Sequence, residues 1–140
     1  MSTDVKSKTF LNSLAAATAS VAALQTTSGA DNLTLAAAAG TGAFHQTDQA
    51  CLLTLTSAAN ISAVTFTVTG TDIAGNALTE DITGPNSNTV TGTKFFNTVT
   101  QIAVDGAVGT NTSVGNAAGT TGGRAVIFGS RTRVRGMHIT

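Results

Sequence analysis

The sequence predicts an all-β protein built as an antiparallel β-sandwich, and three observations carry that expectation. Thr is the commonest residue, at 27 of 140, and its β-branched side chain suits a pleated, half-buried surface better than a helix. The run Val64-Thr65-Phe66-Thr67-Val68-Thr69 alternates strictly between apolar and polar, the period of a strand with one face in a core. From Ala22 onward, short apolar-rich stretches are separated by Gly, Asn and Asp, which is the rhythm of a sandwich or barrel. An Ig-like or jelly-roll-like arrangement accommodates them, with an N-terminal arm or short helix and a C-terminal extended strand.

A chain of 140 residues suits one domain with a real core. Val, Ile, Leu and Phe contribute 32 residues and the formal net charge is zero, so the chain lacks the low hydrophobicity and high charge of a disordered protein. The division expected is an arm over 1–21, a sandwich over 22–118 and a C-terminal strand or arm over 119–140. That last segment would pack on the domain or on a neighbouring subunit.

At the N-terminus Phe10, Leu14, Ala17, Val21 and Leu24 recur near helical spacing, and Ala favours helix. Ser7 or Thr9 would cap such a helix, while Thr18-Ala19-Ser20-Val21 is equally compatible with an extended arm ordered by a neighbour. Lys6 and Lys8 ahead of an apolar run resemble a secretory signal, but Asn12, Ser13, Thr18 and Ser20 interrupt that run. No stretch reaches the ~18 apolar residues of a membrane span.

Candidate strands fall at 22–27, 32–36, 50–57, 62–70, 77–83, 88–91, 94–104, 124–128 and 131–139. Asp72-Ile73-Ala74-Gly75-Asn76 supplies the loop of a hairpin, since Gly and Asn tolerate positive φ. Gly84-Pro85-Asn86 reads as a turn. In 94–104, Phe96 and Val99 and then Ile102 and Val104 change parity, so a single flat strand cannot bury all four and a bulge near Thr100-Gln101 would restore the inward phase. Residues 105–123 are rich in Gly, Asn, Thr and Ala and read as a long loop, or a surface arm ordered by another chain. In the last candidate strand Arg131, Arg133 and Arg135 share one face at period two. With Arg124, four of the seven basic residues lie in the final 17 positions.

Residues that bear chemistry are few. Cys51 is the only cysteine and lies in Ala50-Cys51-Leu52-Leu53, so it reads as a small buried hydrophobe. His45 and His138 have no partner at metal-ligand spacing and read as surface or partly packed side chains. Glu80 and Asp81 are adjacent, and on a strand neighbours point to opposite faces, so they cannot flank one bond and read as solvated or salt-bridged. Asp72 and Asn76 fall far short of a calcium ligand set. No catalytic, metal or cofactor site is expected, and no cofactor. The arginine stripe is either a solvated face or an intersubunit contact using forked guanidinium groups; zero net charge and the lack of aromatic interleaving argue against a nucleic-acid reader. A surface covered by Thr with few charges also packs against neighbours at little desolvation cost, which favours an assembly subunit.

The text from Phe66-Thr67-Val68-Thr69-Gly70-Thr71-Asp72-Ile73-Ala74-Gly75-Asn76 to Ala77-Leu78-Thr79-Glu80 resembles a segment of small structural virion proteins of tailed bacteriophages. So do Thr83-Gly84-Pro85-Asn86, Phe95-Phe96-Asn97-Thr98-Val99-Thr100-Gln101-Ile102 and Val108-Gly109 to Val114-Gly115. Upstream, Gln25-Thr26-Thr27 and Asn32-Leu33-Thr34-Leu35 extend the likeness to roughly residues 22–115. The resemblance implies a β-sandwich subunit of the virion with no catalytic residues, a head decoration or cement protein on the capsid surface. Its partners would be the major capsid protein and other copies of itself, with a trimer the expected state, and no membrane or specific nucleic acid. A tail, collar or head-tail adaptor subunit is the alternative. A host-surface-binding fibre or adhesin module ranks below both, because a chain without Trp or Tyr has little to stack on a sugar. The candidate interface residues are Phe10 and Leu14 in the arm and Arg131, Arg133 and Arg135 in the last strand.

Overall fold

The alternating run around Phe66 becomes the strand on which one whole sheet is assembled. A computed structural model describes residues 15–36, 44–45, 50–108 and 111–118. Nine strands are found there: β1 (Ala17–Gln25), β2 (Asp31–Asn32), β3 (Phe44–His45), β4 (Leu53–Ser57), β5 (Thr65–Thr71), β6 (Ala77–Thr83), β7 (Thr89–Thr91), β8 (Thr98–Val104) and β9 (Thr112–Asn116). The described residues contain no helix. The strands form two antiparallel sheets, a four-stranded one in the order β1-β9-β4-β7 and a five-stranded one in the order β2-β8-β5-β6, with β3 also on β8. The all-β antiparallel sandwich expected from the sequence is therefore the fold.

Phase decides which side chains enter the core. In β5, Phe66 and Val68 are buried while Thr65, Thr67, Thr69 and Thr71 are half-buried on the other face. β6 continues the pattern in register, Thr65 opposite Thr83 through to Thr71 opposite Ala77. Across the intervening loop the Asp72 carboxylate accepts from the Ala74 and Asn76 amides and the Asn76 side chain, and Gly75 takes φ +86°, a conformation that favours glycine. Those bonds, from the Asn76 side chain first, hold the Asp72 carboxyl below its ordinary value. A depressed carboxyl contributes stability above its unfolded pKa and loses it as pH falls through the folded one.

On the other side of β5 the ladder to β8 slips. Thr69 pairs with Gln101 and Gly70 with Val99, leaving Thr100 as an extra residue. This is the bulge that the parity change requires, and it lets Val99, Ile102 and Val104 all reach the core. Phe96 is buried too, just before the strand, and exchanges both backbone hydrogen bonds with Cys51 (2.9 Å each).

Three expectations are corrected. Residues 105–123 were expected to be a loop or partner-ordered arm, yet Thr112–Asn116 is β9, a central strand paired with β1 on one side and β4 on the other. Its five residues are all buried. The strand expected to start at Ala22 starts instead at Ala17, which settles the helix-or-extended alternative for 17–25 as extended. β3 lies in a stretch where no strand was expected. The arm residues 1–14 and the candidate strands 124–128 and 131–139 lie outside the described residues.

β9 fits between its neighbours because its side chains are small. A Cβ on Gly115 would overlap the Ala17 carbonyl oxygen and the Thr18 backbone, so β1 crosses that position at backbone contact. The close approach coincides with register shifts in the β1–β9 ladder, between Ala17 and Ala22 and again before Gln25. Asn116 fastens the distorted part: its Oδ1 accepts from Ser20 Oγ (2.6 Å) and its Nδ2 donates to the Ala15 carbonyl (2.9 Å). The inward face joins Val114 to Val21, Leu53 and Leu55, packed with Phe66, Val68, Phe96 and Ile102 in one core.

Gly115→Ala should therefore destabilise the fold by about 1–3 kcal/mol, the usual cost of overpacking, read as a lower urea midpoint. Gly29→Ala, where a Cβ meets nothing within 4 Å, should stay within about 0.5 kcal/mol of the parent.

Candidate interaction surface

The outer face of the five-stranded sheet is a polar surface created by the strand alternation. β5 contributes Thr65, Thr67, Thr69 and Thr71, β6 contributes Ala77, Thr79, Asp81 and Thr83, and β8 contributes Gln101 and Ala103. Several of its polar groups are held by side-chain hydrogen bonds. Thr67 Oγ1 donates to Asp81 (2.7 Å), the Thr71 and Thr98 hydroxyls lie 2.6 Å apart, and Gln101 Nε2 donates to Asn32 Oδ1 (2.7 Å). These bonds fix the hydroxyl and amide groups in place, and Asp81 is the one charged side chain among the ten residues named.

The two sides of the sandwich are finished differently. On one side a single segment passes from sheet to sheet: β2 pairs with β8, the Leu33 amide donates to the Ile102 carbonyl (2.8 Å), and the Ala36 amide donates to the Val21 carbonyl of β1 (2.7 Å). Between them the Gln25 side-chain amide pairs with Thr34 as a strand backbone would, donating to its carbonyl (2.9 Å) and accepting from its amide (2.8 Å). That side is bridged by hydrogen bonds from 31–36 to the end of β8 and to Val21 and Gln25 of β1.

On the opposite side β6 and the three-residue β7 are the outer strands. Here Glu80 bridges the layers. Its buried carboxylate accepts from the Thr93 amide, the Thr93 hydroxyl (2.8 Å) and the Lys94 amide (3.2 Å). Glu80 is thus neither solvated nor salt-bridged, as the sequence had implied, while Asp81 on the other face is exposed as expected. The loop that Glu80 grips comes close because Gly92 has no side chain to meet its carboxylate.

The backbone of β6 is open toward solvent. Bonds at Asp72–Asn76 and Gly84–Val64 set the phase of the ladder, so Leu78, Glu80 and Ile82 bond to β5 and the backbone groups of Ala77, Thr79, Asp81 and Thr83 face outward. Lys94 Nζ donates to the Thr79 carbonyl (2.6 Å), a lysine placed on a sheet edge where it discourages pairing. Beside this edge, Leu78 and Val90 are only partly buried against the core.

Charge is unevenly distributed along the chain. The described residues carry Asp31, Asp72, Glu80, Asp81 and Asp105 against Lys94, whereas residues 119–140 carry Arg124, Arg131, Arg133 and Arg135 and no carboxylate side chain. The interface candidates Phe10, Leu14, Arg131, Arg133 and Arg135 all lie outside the described residues, so the structure neither gathers nor separates them. It adds two apolar side chains that the sequence reading passed over, Leu24 on β1 and Phe95 beside the Glu80 loop, exposed by 59% and 37%. Leu24 lies within the apolar pattern, and Phe95 adjoins a core Phe, so neither stood out.

Cys51 is buried, and burial pushes its thiol up to about 11, in keeping with a packing role. No group of three or more His, Cys, Asp or Glu side chains comes together among the described residues in a way that holds a metal ion. No helix among them is long and apolar enough to cross a membrane. Comparison with known proteins finds no matching family model, curated protein or solved structure.

Glu80→Ala should cost about 2–3 kcal/mol, because charge-assisted bonds to the 93–94 backbone are lost in a buried site. Asp81→Ala, on the exposed face, should cost less than about 0.5 kcal/mol. Urea unfolding of the two variants checks the difference.

Proposed function

We propose that the protein is a structural subunit of a tailed-phage virion, a capsid decoration or cement subunit that acts by protein–protein contact. The observation that carries this reading is the Thr-covered outer face of the five-stranded sheet, with Asp81 as its only charge among the strand residues named. Covering hydroxyls costs far less than desolvating ions. Thr also has little rotamer freedom to lose on contact. Such a face gains from many modest contacts repeated over a lattice, where effective concentration multiplies them. Leu24 and Phe95 add exposed apolar area at separate points of the surface.

The virion setting rests on the sequence motifs between residues 22 and 115. In that setting the major capsid protein is the partner and the capsid surface the location, with copies of the chain associating as a small oligomer. A tail, collar or adaptor subunit would use the same kind of face in far fewer copies.

Quantitative mass spectrometry of purified particles, scaled to the major capsid protein, tests the reading. A decoration subunit should approach the abundance of the capsid protein itself. Abundance matching a single ring would assign the chain to the connector or tail, and absence from particles would overturn the virion reading. In the same assay Thr69→Asp should leave the strand content unchanged by circular dichroism and lower particle occupancy at least tenfold, as expected when more than about 1.4 kcal/mol of contact is lost.

A further inference from the structure

We propose that the open edge of β6 is a docking site for the basic C-terminal segment, residues 131–139, of a second copy of this chain, which adds to the sheet as a strand. The inference deepens the assembly reading above and rests on it. Four observations meet here. The edge presents unpaired backbone groups at Ala77, Asp81 and Thr83, with only the Thr79 carbonyl taken, by Lys94, among the described residues. The opposite side of the sandwich is bridged by the 31–36 segment, which bonds to the end of β8 and to β1. The folded body is acidic apart from Lys94, and the segment beyond it is wholly basic.

The fourth observation is phase. In an extended backbone Arg131, Arg133 and Arg135 point to one side, and Thr132 and Val134 to the other. Side chains on β6 do the same: Ala77, Thr79, Asp81 and Thr83 outward, Leu78, Glu80 and Ile82 toward the core. A strand added with an Arg opposite Asp81 therefore puts all three guanidinium groups on the carboxylate-bearing outer face. Thr132 and Val134 then fall on the side where Leu78 and Val90 remain partly exposed. Edge addition of this kind takes its affinity from main-chain hydrogen bonds and its specificity from alternate side chains. Lys94 must release the Thr79 carbonyl, which its flexible stem permits.

A second copy fits better than the chain's own tail. The Ala117 amide donates to the Leu52 carbonyl (2.9 Å), so the chain leaves the body at the end of the sandwich where β6 begins. Residues 119–130 reach about 40 Å at most. The direct path along its own β6 delivers the tail parallel to it, whereas antiparallel docking within one chain would spend most of that reach on running past the seven-residue strand and turning back. Every ladder in the described fold is antiparallel, the more stable pairing per residue. A tail from a neighbour meets no such restriction.

Sedimentation velocity of the full-length chain at micromolar concentration, in low and high salt, tests the contact on the purified protein alone and so independently of any particle. The parent should be oligomeric and should dissociate as salt screens the arginines. Arg131→Glu/Arg133→Glu/Arg135→Glu should associate on the order of a hundredfold more weakly with an unchanged β circular dichroism spectrum, and Asp81→Arg added to it should restore part of the loss. Thr83→Pro, which removes an outward amide without touching a bond to β5, should weaken association as well. A monomeric parent, or a triple variant of unchanged mass, would overturn the proposal. So would a disulfide in Asp81→Cys/Arg133→Cys that closes within one chain.

Discussion

The sandwich depends on one strand of small residues held between two others. Among the described residues β9 is the only strand that pairs with β1, and through it β1 joins β4 and β7 in one sheet. Gly115 lets the β1 backbone cross at contact distance, Asn116 bonds across to Ser20 and Ala15, and Val114 turns inward to the core. Each role needs a short or precisely shaped side chain, so bulk at this strand would separate β1 from the sheet and uncover Val21 and Ala22. The chain entering β9 is tied down as well, because Val108 exchanges hydrogen bonds with Thr27 through the Val108 carbonyl and amide.

Around that strand the two sides of the molecule have different characters. The 31–36 segment closes one side by bonding to β8 and then to β1, and the Gln25 side chain serves there as a substitute for backbone. The other side is joined through a carboxylate, Glu80, holding the 93–94 backbone, and its outer strand β6 keeps outward-facing amides and carbonyls. A closed side, an open side and a Thr-covered face between them amount to a subunit with distinct places for contact. The proposed assembly role draws on that division, and the basic C-terminal residues supply a partner of opposite charge for the open side.

Much of the fold was legible because the responsible signals are local. Alternation at Val64–Thr69 gives β5, the Asp72–Asn76 loop gives the hairpin, and the parity change between Val99 and Ile102 gives the bulge at Thr100. β9 was not legible for a physical reason: Gly115, Asn116, Ser113 and Thr112 have the composition of a loop, and they occupy a strand only because neighbouring backbones leave no room for larger side chains. β1 was placed late because an Ala-rich run has the same appearance at helical and strand periods until its partner is known. Of the surface, the Thr face could be read from alternation. The burial of Glu80 could not, since it depends on a loop 13 residues away, and the exposure of Leu24 likewise follows only from packing.

Amide hydrogen exchange on the native protein tests the central place of β9 most directly. If β9 is the strand that holds the four-stranded sheet together, the Val114 and Gly115 amides should exchange only through global unfolding, as slowly as the Phe66 and Val68 amides of β5. Exchange at Val114 and Gly115 as fast as in the exposed 72–76 loop would contradict the account and return residues 105–123 to a surface loop.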